Sequence, residues 1–155
     1  MFLTINVNGL RDANKRMSFL QWLGHLQVDF VCIQELHCTT CVECDLWFSS
    51  SGFSVVASPG SVHSCGSAIL YRPSFSLTKS SFDSSGRFVL AHFSREGVIF
   101  GLACVYAPNR NPDRNVFLAY CADEIDVAVP TVICGDFNCV FDRVLDRRGC
   151  SQEPF

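Results

Sequence analysis

The first third of the chain carries two apolar segments with a helical pattern between them. Residues 2–7 and residues 30–34 are short and mostly apolar, which predicts two strands. Residues 14–26 predict a helix, because apolar side chains recur there at helical spacing: Phe19, Leu20, Leu23 and Leu26. A strand, helix, strand unit favours a parallel pair of strands with the helix packed on the sheet.

The middle of the chain predicts further strands after a stretch without clear periodicity. Residues 38–66 are rich in Ser, Cys and Gly, and the pattern there is weak. Strand-like segments separated by turn signals follow: residues 68–71, 75–81, 88–93 and 98–106. We expect these segments to form an antiparallel meander.

The last third predicts one helix and one strand. Asn111 offers an N-cap and Pro112 suits the first helical position, which predicts a helix that Pro130 ends. Its apolar face is expected to consist of Phe117, Cys121, Ile125 and Ala128. Residues 131–134 predict a final buried strand. Together the elements indicate a single α/β domain over residues 1–155, a sandwich with a mixed sheet that is incomplete at its C-terminal end.

The composition fits one compact domain. The 155 residues are 48% apolar and 17% charged, enough to build one sizeable core and unlike a disordered segment. The net charge of −3 gives no overall signal for a polyanionic partner. Most of the basic residues nevertheless fall into groups that follow polar motifs: Arg11, Lys15 and Arg16; Arg110 and Arg114; Arg143, Arg147 and Arg148. Two interpretations stay open, solvated faces and contacts with a phosphate backbone.

The cysteines and the apolar runs argue against two classes of protein. The N-terminal segment lacks the charged and apolar regions of a signal peptide, so a reduced, intracellular compartment is expected rather than a disulfide scaffold. The longest nearly apolar run, residues 98–107, is shorter than the roughly 20 residues that cross a bilayer, and no membrane role is expected.

A group of closely spaced cysteines raises the alternative of a metal-binding module. Cys38, Cys41 and Cys44 are spaced as in some zinc and iron–sulfur sites, with His37 adjacent. A complete site usually needs a second well-spaced pair, and none is evident in the sequence. We therefore expect these cysteines to pack a loop.

Short polar motifs occur where apolar strands end, and they carry the candidate chemistry. They are Asn6-Val7-Asn8-Gly9, Gln34-Glu35, Tyr106-Ala107-Pro108-Asn109 and Gly135-Asp136-Phe137-Asn138. Strand ends in α/β sheets are where ligands gather, because rigid strands place side chains accurately. Two carboxylates, several amides and a phenol are therefore expected to converge.

This mixture of groups suits hydrolysis of a phosphodiester with a hard cation. Oxygen ligands bind Mg²⁺, a carboxylate can take a proton from water, and amide donors can face the phosphate oxygens. Thiolate ligands would not suit such a cation. The sequence contains no P-loop, no Gly-rich dinucleotide motif and no Gly-x-Ser-x-Gly motif, which disfavours nucleotide switches, dehydrogenases and serine hydrolases.

Taken in this order, the motifs resemble those of the endonuclease/exonuclease/phosphatase superfamily. The likeness is greatest to the exonuclease-III-like, apurinic-type endonuclease domain of non-long-terminal-repeat retrotransposons. Asn8 stands where apurinic enzymes usually carry Asp and retrotransposon enzymes often carry Asn, and residues 140–149, with Leu145-Asp146-Arg147, resemble the stretch that follows this motif in the retrotransposon enzymes. The resemblance implies a deoxyribonuclease-I-like, two-sheet α/β sandwich and Mg²⁺-dependent nicking of DNA that leaves a 3′-hydroxyl.

The resemblance also implies roles for individual residues. Glu35 would bind Mg²⁺, for which Mn²⁺ is a possible substitute, and Asn6 would act in the metal site or position water. Asp136 would activate the attacking water or assist the leaving group, Asn138 would orient Asp136 or the water, and Tyr106 would lie beside the scissile phosphate. The expected substrate-binding residues are Asn8, Arg11, Asn109, Arg110 and Arg147.

One departure from the family pattern concerns the second half of the domain. The family carries a further catalytic Asp and then a Ser-Asp-His motif, and this chain has neither; its four histidines all precede Gly135. We therefore expect a partial domain that is inactive alone, from a parent that binds DNA and continues into a reverse transcriptase. The alternatives are a related phosphatase or lipid phosphodiesterase, and a decayed retrotransposon fragment without enzymatic activity.

Overall fold

Two four-stranded sheets pack against each other in residues 1–139, the part of the chain that the computed structural model describes. The elements in chain order are β1 (Phe2–Asn6), α1 (Ala13–Gly24), β2 (Phe30–Gln34), α2 (Cys41–Phe48), β3 (Ser54–Ser58), β4 (Ser67–Tyr71), β5 (Ser76–Phe82), β6 (Phe88–Arg95), β7 (Val98–Tyr106), α3 (Asn111–Glu124) and β8 (Thr131–Asp136). The predictions for Arg143, Arg147, Arg148 and the Leu145-Asp146-Arg147 stretch lie outside the described residues.

The strand order places one parallel pair in each sheet. The first sheet has the order β1-β2-β4-β3 and the second has the order β5-β6-β7-β8. β1 and β2 run parallel, as do β7 and β8, and all the other neighbours are antiparallel. The parallel β1–β2 pair with its intervening helix and the two-sheet α/β sandwich are therefore confirmed.

The prediction of one continuous meander is wrong, because β4 belongs to the other sheet. β4 pairs with β2 and β3 in the first sheet, and only β5, β6 and β7 form the meander. Four of the five β4 residues are fully buried, since this strand is covered on both faces. A short apolar run of this kind carries no polar face, and its pattern alone does not indicate which neighbours it pairs with.

The weakly patterned stretch contains two elements that the periodicity did not predict. α2 begins after Thr40, whose hydroxyl accepts the Glu43 backbone N–H at 3.0 Å, while Glu43 accepts the Thr39 backbone N–H at 2.7 Å. This reciprocal arrangement is close to a capping box, and the Thr-x-x-Glu spacing was the sequence signal for it. Phe48 then fixes α2 against the first sheet, next to β3.

The boundaries of α3 and the burial of β8 also differ from the predictions. The N-cap is Arg110 rather than Asn111, and the helix ends at Glu124, so Ala128 is not on it. The Asp126 side chain accepts the Ala128 backbone N–H at 2.9 Å, a local turn that competes with further helix. β8 is not buried: it pairs only with β7 in the described residues, and Val132 and Ile133 are 45% and 50% exposed.

The core is divided into layers by the two sheets. α1 and α2 pack on the outer face of the first sheet, and α3 packs on the outer face of the second sheet. Aromatic rings fill the space between the sheets, where Phe30 lies 4.6 Å from Phe75 and 4.9 Å from Phe93 by ring centroids. Edge-to-face and tilted pairs of this kind each add about 0.5–1.5 kcal/mol beyond burial. No helix in residues 1–139 has the length and apolar character needed to cross a membrane.

Candidate active site

Both parallel pairs end at the same side of the sandwich. Asn6 is the register partner of Gln34 at the end of β1 and β2, and Tyr106 is the register partner of Asp136 at the end of β7 and β8. The Asn6 side chain contacts both Asp136 and Glu35, so Glu35, the residue that follows Gln34, lies near the end of the second sheet. The two sheets thus present their polar ends to one another.

One amide joins the carboxylates of the two sheets. The Asn6 side-chain nitrogen donates to Glu35 Oε1 at 3.0 Å and to Asp136 Oδ2 at 3.0 Å. The Tyr106 hydroxyl donates to the same Glu35 Oε1 at 2.7 Å. The convergence expected from the sequence is therefore present for Asn6, Glu35, Tyr106 and Asp136, while their chemical roles stay predictions.

The acid–base properties of Glu35 and Tyr106 follow from this network. Burial tends to raise the pKa of Glu35, but the hydrogen bonds from Asn6 and Tyr106 and the nearby His37 outweigh it and lower that pKa below its ordinary value. Burial, together with the hydrogen bond to the Glu35 carboxylate, raises the pKa of Tyr106 to about 12. At neutral pH the site therefore holds a carboxylate beside a protonated phenol.

The loops that follow the strands adopt unusual backbone conformations. Asn8, Glu35, His37 and Asn138 all have positive φ values, between 47° and 60°. Such conformations are uncommon for residues other than glycine and concentrate at functional sites, where the surrounding structure holds them in place. The Asn8 backbone N–H donates to Asn6 Oδ1 at 3.0 Å, which helps to hold this turn.

Asn138 links the ends of β7 and β8. Its backbone N–H donates to Asp136 Oδ1 at 3.0 Å, and its side-chain nitrogen donates to the Ala107 carbonyl at 2.6 Å. Arg114 from α3 donates to the carbonyls of Asn138, at 2.7 Å, and of Asn109, at 3.1 Å. Asn138 therefore lies beside Asp136 and fixes its orientation through the backbone.

His37 is a residue of this site that the sequence reasoning missed. Its Nε2 lies 3.7 Å from Glu35 Oε2, and this nitrogen is buried without a hydrogen-bond partner in the described residues. Its ring also packs closely on Gly9. The sequence interpretation considered His37 only beside Cys38, although a histidine two residues after the strand-end Glu35 was a signal for this position.

The first basic group is used largely to hold loops. Lys15 donates to the carbonyls of Val7 and Asn8, both at 2.7 Å. Arg11 pairs with Glu43 at 3.0 Å and donates to the His37 carbonyl at 3.2 Å. The side chains predicted to contact substrate are exposed around the site on these and the neighbouring loops: Asn8, Arg11, Asn109 and Arg110. Arg147 lies outside the described residues.

A cleft of about 680 Å³ opens beside the shared amide. Asn6, Gln34 and Asp136 line its polar end, and Ile5 and Phe137 are among its apolar walls. Glu35 reaches this end through its contact with Asn6. The cleft therefore borders two of the candidate catalytic groups, Asn6 and Asp136.

The groups at the strand ends fit a hard divalent cation. Two carboxylates that share one amide repel each other, and a cation bound between or beside them would relieve that repulsion. The carboxylates of Glu35 and Asp136 offer oxygen ligands, which suits Mg²⁺. Asn6 turns its NH₂ group to the carboxylates and its oxygen to Asn8, so in this arrangement it positions the carboxylates.

The cysteine motif after β2 does not form a comparable centre. Cys38 and Cys44 are fully buried, whereas Cys41 is exposed. In residues 1–139 no three His, Cys, Asp or Glu side chains are arranged to hold a metal ion, either among these cysteines or at the strand ends, where two carboxylates meet. This part of the chain therefore offers no support for a cysteine-based metal-binding module.

Comparison with known proteins places the chain in a family. Residues 3–153 match the model of the Endonuclease/Exonuclease/phosphatase family. The chain belongs to this family. Endonuclease/exonuclease/phosphatase enzymes are hydrolytic nucleases and phosphodiesterases, and the nucleases among them generally use divalent metal ions.

Solved structures share the fold of this family member. An AP endonuclease from Archaeoglobus fulgidus matches with a TM-score of 0.66 and 23% identity, over 88% of this chain and 56% of that chain. TDP2 from C. elegans matches with a TM-score of 0.67 and 17% identity, over 89% of this chain and 48% of that chain. D. rerio TDP2 complexed with single strand DNA product matches with a TM-score of 0.68 and 17% identity, over 91% and 61%. This family chain thus spans about half the length of the C. elegans protein.

The contact between Tyr106 and Glu35 predicts a measurable shift. In Tyr106→Phe one hydrogen bond to the carboxylate is lost, so the pKa of Glu35 should rise towards its ordinary value. A carboxyl whose pKa is lowered by folding contributes stability above its unfolded pKa and loses it as pH falls through the folded value, so the variant should lose part of that stability at neutral pH. Carboxyl-carbon NMR titration of Glu35 measures the shift. Tyr120→Phe is the control and should leave Glu35 unchanged; equal titration in all three proteins would contradict this role of Tyr106.

Proposed function

We propose that this chain is the first part of a Mg²⁺-dependent endonuclease domain that hydrolyses DNA phosphodiester bonds and nicks one strand to leave a 3′-hydroxyl. The observation that carries the proposal is the Asn6 amide shared by Glu35 and Asp136, with the Tyr106 hydroxyl on Glu35. A carboxylate pair, an amide and a phenol suit phosphodiester hydrolysis with a hard cation.

The residues divide the chemistry between the two sheets. Glu35 would hold the cation, with Asn6 positioning the carboxylates, and bound Mg²⁺ or Mn²⁺ supplies charge neutralisation at the phosphate. Asp136, held by Asn138, would orient the attacking water and take its proton. Tyr106 stays protonated because its pKa is about 12, and its hydroxyl would turn from Glu35 to donate to a phosphate oxygen.

The resemblance to retrotransposon enzymes supports a more specific substrate and partner. Asn8 in the first motif matches these enzymes, and it is exposed at the rim of the site. We therefore propose that the parent protein binds and nicks DNA for target-primed retrotransposition and continues into a reverse transcriptase. Asn8, Arg11, Asn109, Arg110 and Arg147 are the proposed DNA contacts.

The sheet edges support the proposal that the chain is a partial domain. β5, an edge of the second sheet, is polar and exposed, and it carries Lys79 beside a register shift; such features discourage pairing. α2 packs against β3, the edge of the first sheet. β1 and β8 are the remaining edge strands. In the described residues neither of them is as polar as β5, and neither is covered by a helix like β3.

We call the exposed side formed by β1 and β8 the open flank. Phe2 is 48% exposed there, and Val132 and Ile133 are exposed to a similar extent. A second cleft, of about 480 Å³, opens on it among Phe2, Phe30 and Val132. Unpaired apolar edges favour the addition of further strands, and we propose that the rest of the family domain covers this flank.

Residues 1–155 alone are expected to nick DNA poorly or not at all. Groups that act as a unit lose most of the rate when one member is absent, and the family's Ser-Asp-His motif does not occur in this sequence. Conversion of supercoiled plasmid to open circle in the presence of Mg²⁺ measures the activity, and a complete domain containing this chain is the positive control. Robust nicking by the isolated chain, abolished by EDTA, would contradict this expectation.

The complete domain tests the proposed function. Plasmid nicking should require Mg²⁺ or Mn²⁺ and should leave ends that a DNA polymerase extends, because a 3′-hydroxyl remains. A panel with a phosphomonoester and a phosphoinositide tests the alternative of a related phosphatase or lipid phosphodiesterase. Turnover of either of these without plasmid nicking would reject the proposed function.

A further inference from the structure

A cluster of thiols lies between the sheets, directly behind the candidate active site. Cys32 on β2, Cys104 on β7 and Cys134 on β8 share the inter-sheet core. Cys32 and Cys104 are almost completely buried, whereas Cys134 is partly exposed on the outermost strand. Solvent therefore reaches the cluster through one of its three members.

The contacts inside the cluster distinguish a pair from the third thiol. Cys104 is the register partner of Cys134, but it is engaged by other groups: Gln34 donates to its sulfur at 3.2 Å, and it faces the Ile33 carbonyl at 3.5 Å. Cys32 lies in the core cluster against which Cys134 packs from the opposite sheet. β2 and β8 approach with Cα atoms within 8 Å. A disulfide between the two sheets of a sandwich is an established arrangement in immunoglobulin domains.

Solvent exposure assigns different chemical roles to the members of the pair. Cys134 is partly exposed on the outermost strand, whereas Cys32 is 1% exposed between the sheets. The thiolate is the form that reacts with oxidants, and a dissolved oxidant reaches it where the thiol meets solvent. Cys134 is therefore the thiol that reacts first, and Cys32 is the one that closes the disulfide.

We propose that Cys134 and Cys32 form a peroxide-sensitive modification site that closes into an inter-sheet disulfide. The Cys134 thiolate attacks a peroxide oxygen, which forms an S–O bond, breaks the O–O bond and, after protonation, releases water. Cys32 then attacks the sulfenic sulfur, which forms the S–S bond and releases a second water. The two thiols lose two electrons and the peroxide gains them.

The position of the disulfide gives it a consequence for the site. Cys134 precedes Asp136 by two residues and Cys32 precedes Glu35 by three. The bond would tie β2 to β8 just before the strands present these carboxylates, and so it would fix the separation of the sheets there. The inference concerns chemistry of the thiols themselves and does not rest on the proposed function.

Peptide mapping of oxidised residues 1–155 tests the proposal. The folded, reduced chain is treated with hydrogen peroxide at neutral pH, alkylated and digested with chymotrypsin. The expected result is a dithiothreitol-reversible loss of two hydrogen atoms in mass, with the Cys32 peptide linked to the Cys134 peptide. The Cys134→Ala and Cys32→Ala variants should lose this link, and Cys104→Ala should retain it.

The Cys38 and Cys44 pair is an internal control, because both thiols lie in one core cluster and both are fully buried. A Cys38–Cys44 link alone would overturn the proposal, as would oxidation confined to the exposed Cys41 and Cys139 while Cys134 stays open to alkylation. Mapping of the unsubstituted chain decides the question even if a variant fails to fold.

Discussion

In a complete domain containing this chain, Glu35→Gln should reduce the rate of plasmid nicking by roughly a thousandfold or more. Glutamine keeps the size of the side chain and can still accept from Asn6 and Tyr106, but it removes the negative charge that the proposed cation needs. Because Asp136 shares the Asn6 amide, Asp136→Asn should have an effect of similar size. The decrease should appear in the maximal rate of conversion from supercoiled to open-circular plasmid.

Non-additivity is the sharper part of this prediction. If Glu35 and Asp136 serve one reaction centre, the double variant should be little worse than either single variant. Glu96→Gln is a matched control, since Glu96 is exposed in the turn between β6 and β7 and its carboxylate pairs with Arg95. Nicking that survives Glu35→Gln at more than half the original rate, with the control unchanged, would reject the assigned roles.

The fold was predictable where apolar segments are separated by clear turn signals or by a helical pattern. β1, α1 and β2 follow a pattern in which a helix of period 3.6 separates two short apolar runs, and their parallel pairing follows from the length of the connection. The meander of β5, β6 and β7 was predictable from its turn signals for the same reason. Elements of this kind are determined by residues that are close together in the sequence.

The pairing of β4 and the exposure of β8 were not predictable in this way. Residues 68–71 and 132–134 form short, mostly apolar runs, and such a run is compatible with a strand at the centre of a sheet or at its edge. What distinguishes the two positions is the set of neighbours, and those neighbours come from distant parts of the chain. α2 was missed for a different reason: its apolar residues show no clear face, and its start depends on the cap at Thr40 and Glu43.

The candidate site was predictable in its members more than in its contacts. Polar motifs at strand ends were sufficient to bring Asn6, Glu35, Tyr106 and Asp136 to one place. The Asn6 side chain turns its NH₂ group to both carboxylates while its oxygen accepts the Asn8 backbone N–H. This arrangement goes with the positive φ of Asn8, a feature of the folded backbone. The approach of His37 to Glu35 likewise depends on the positive φ values of both residues.

Gly135→Ala should destabilise the fold by about 4 kcal/mol or more, or prevent folding, because two costs combine at this position. Gly135 has a φ of 146°, which side-chain-bearing residues rarely adopt. A Cβ there would also overlap the Val105 carbonyl oxygen and lie 2.8 Å from the Val105 nitrogen. Gly135 is therefore required for β8 to approach β7 closely enough to place Asp136 beside Tyr106.

Two other glycines separate those costs. Gly97 has a φ of 81° but open space around it, so Gly97→Ala should cost only about 1–2 kcal/mol for the backbone conformation. Gly24 has open space and no positive φ at the end of α1, and Gly24→Ala should be neutral or stabilising by up to about 1 kcal/mol. Urea unfolding of the three variants measures the series. A loss of unfolding free energy in Gly135→Ala no larger than that in Gly97→Ala would show that close packing of β7 on β8 does not constrain this position. The glycine in the motif that carries Asp136 would then need another physical reason.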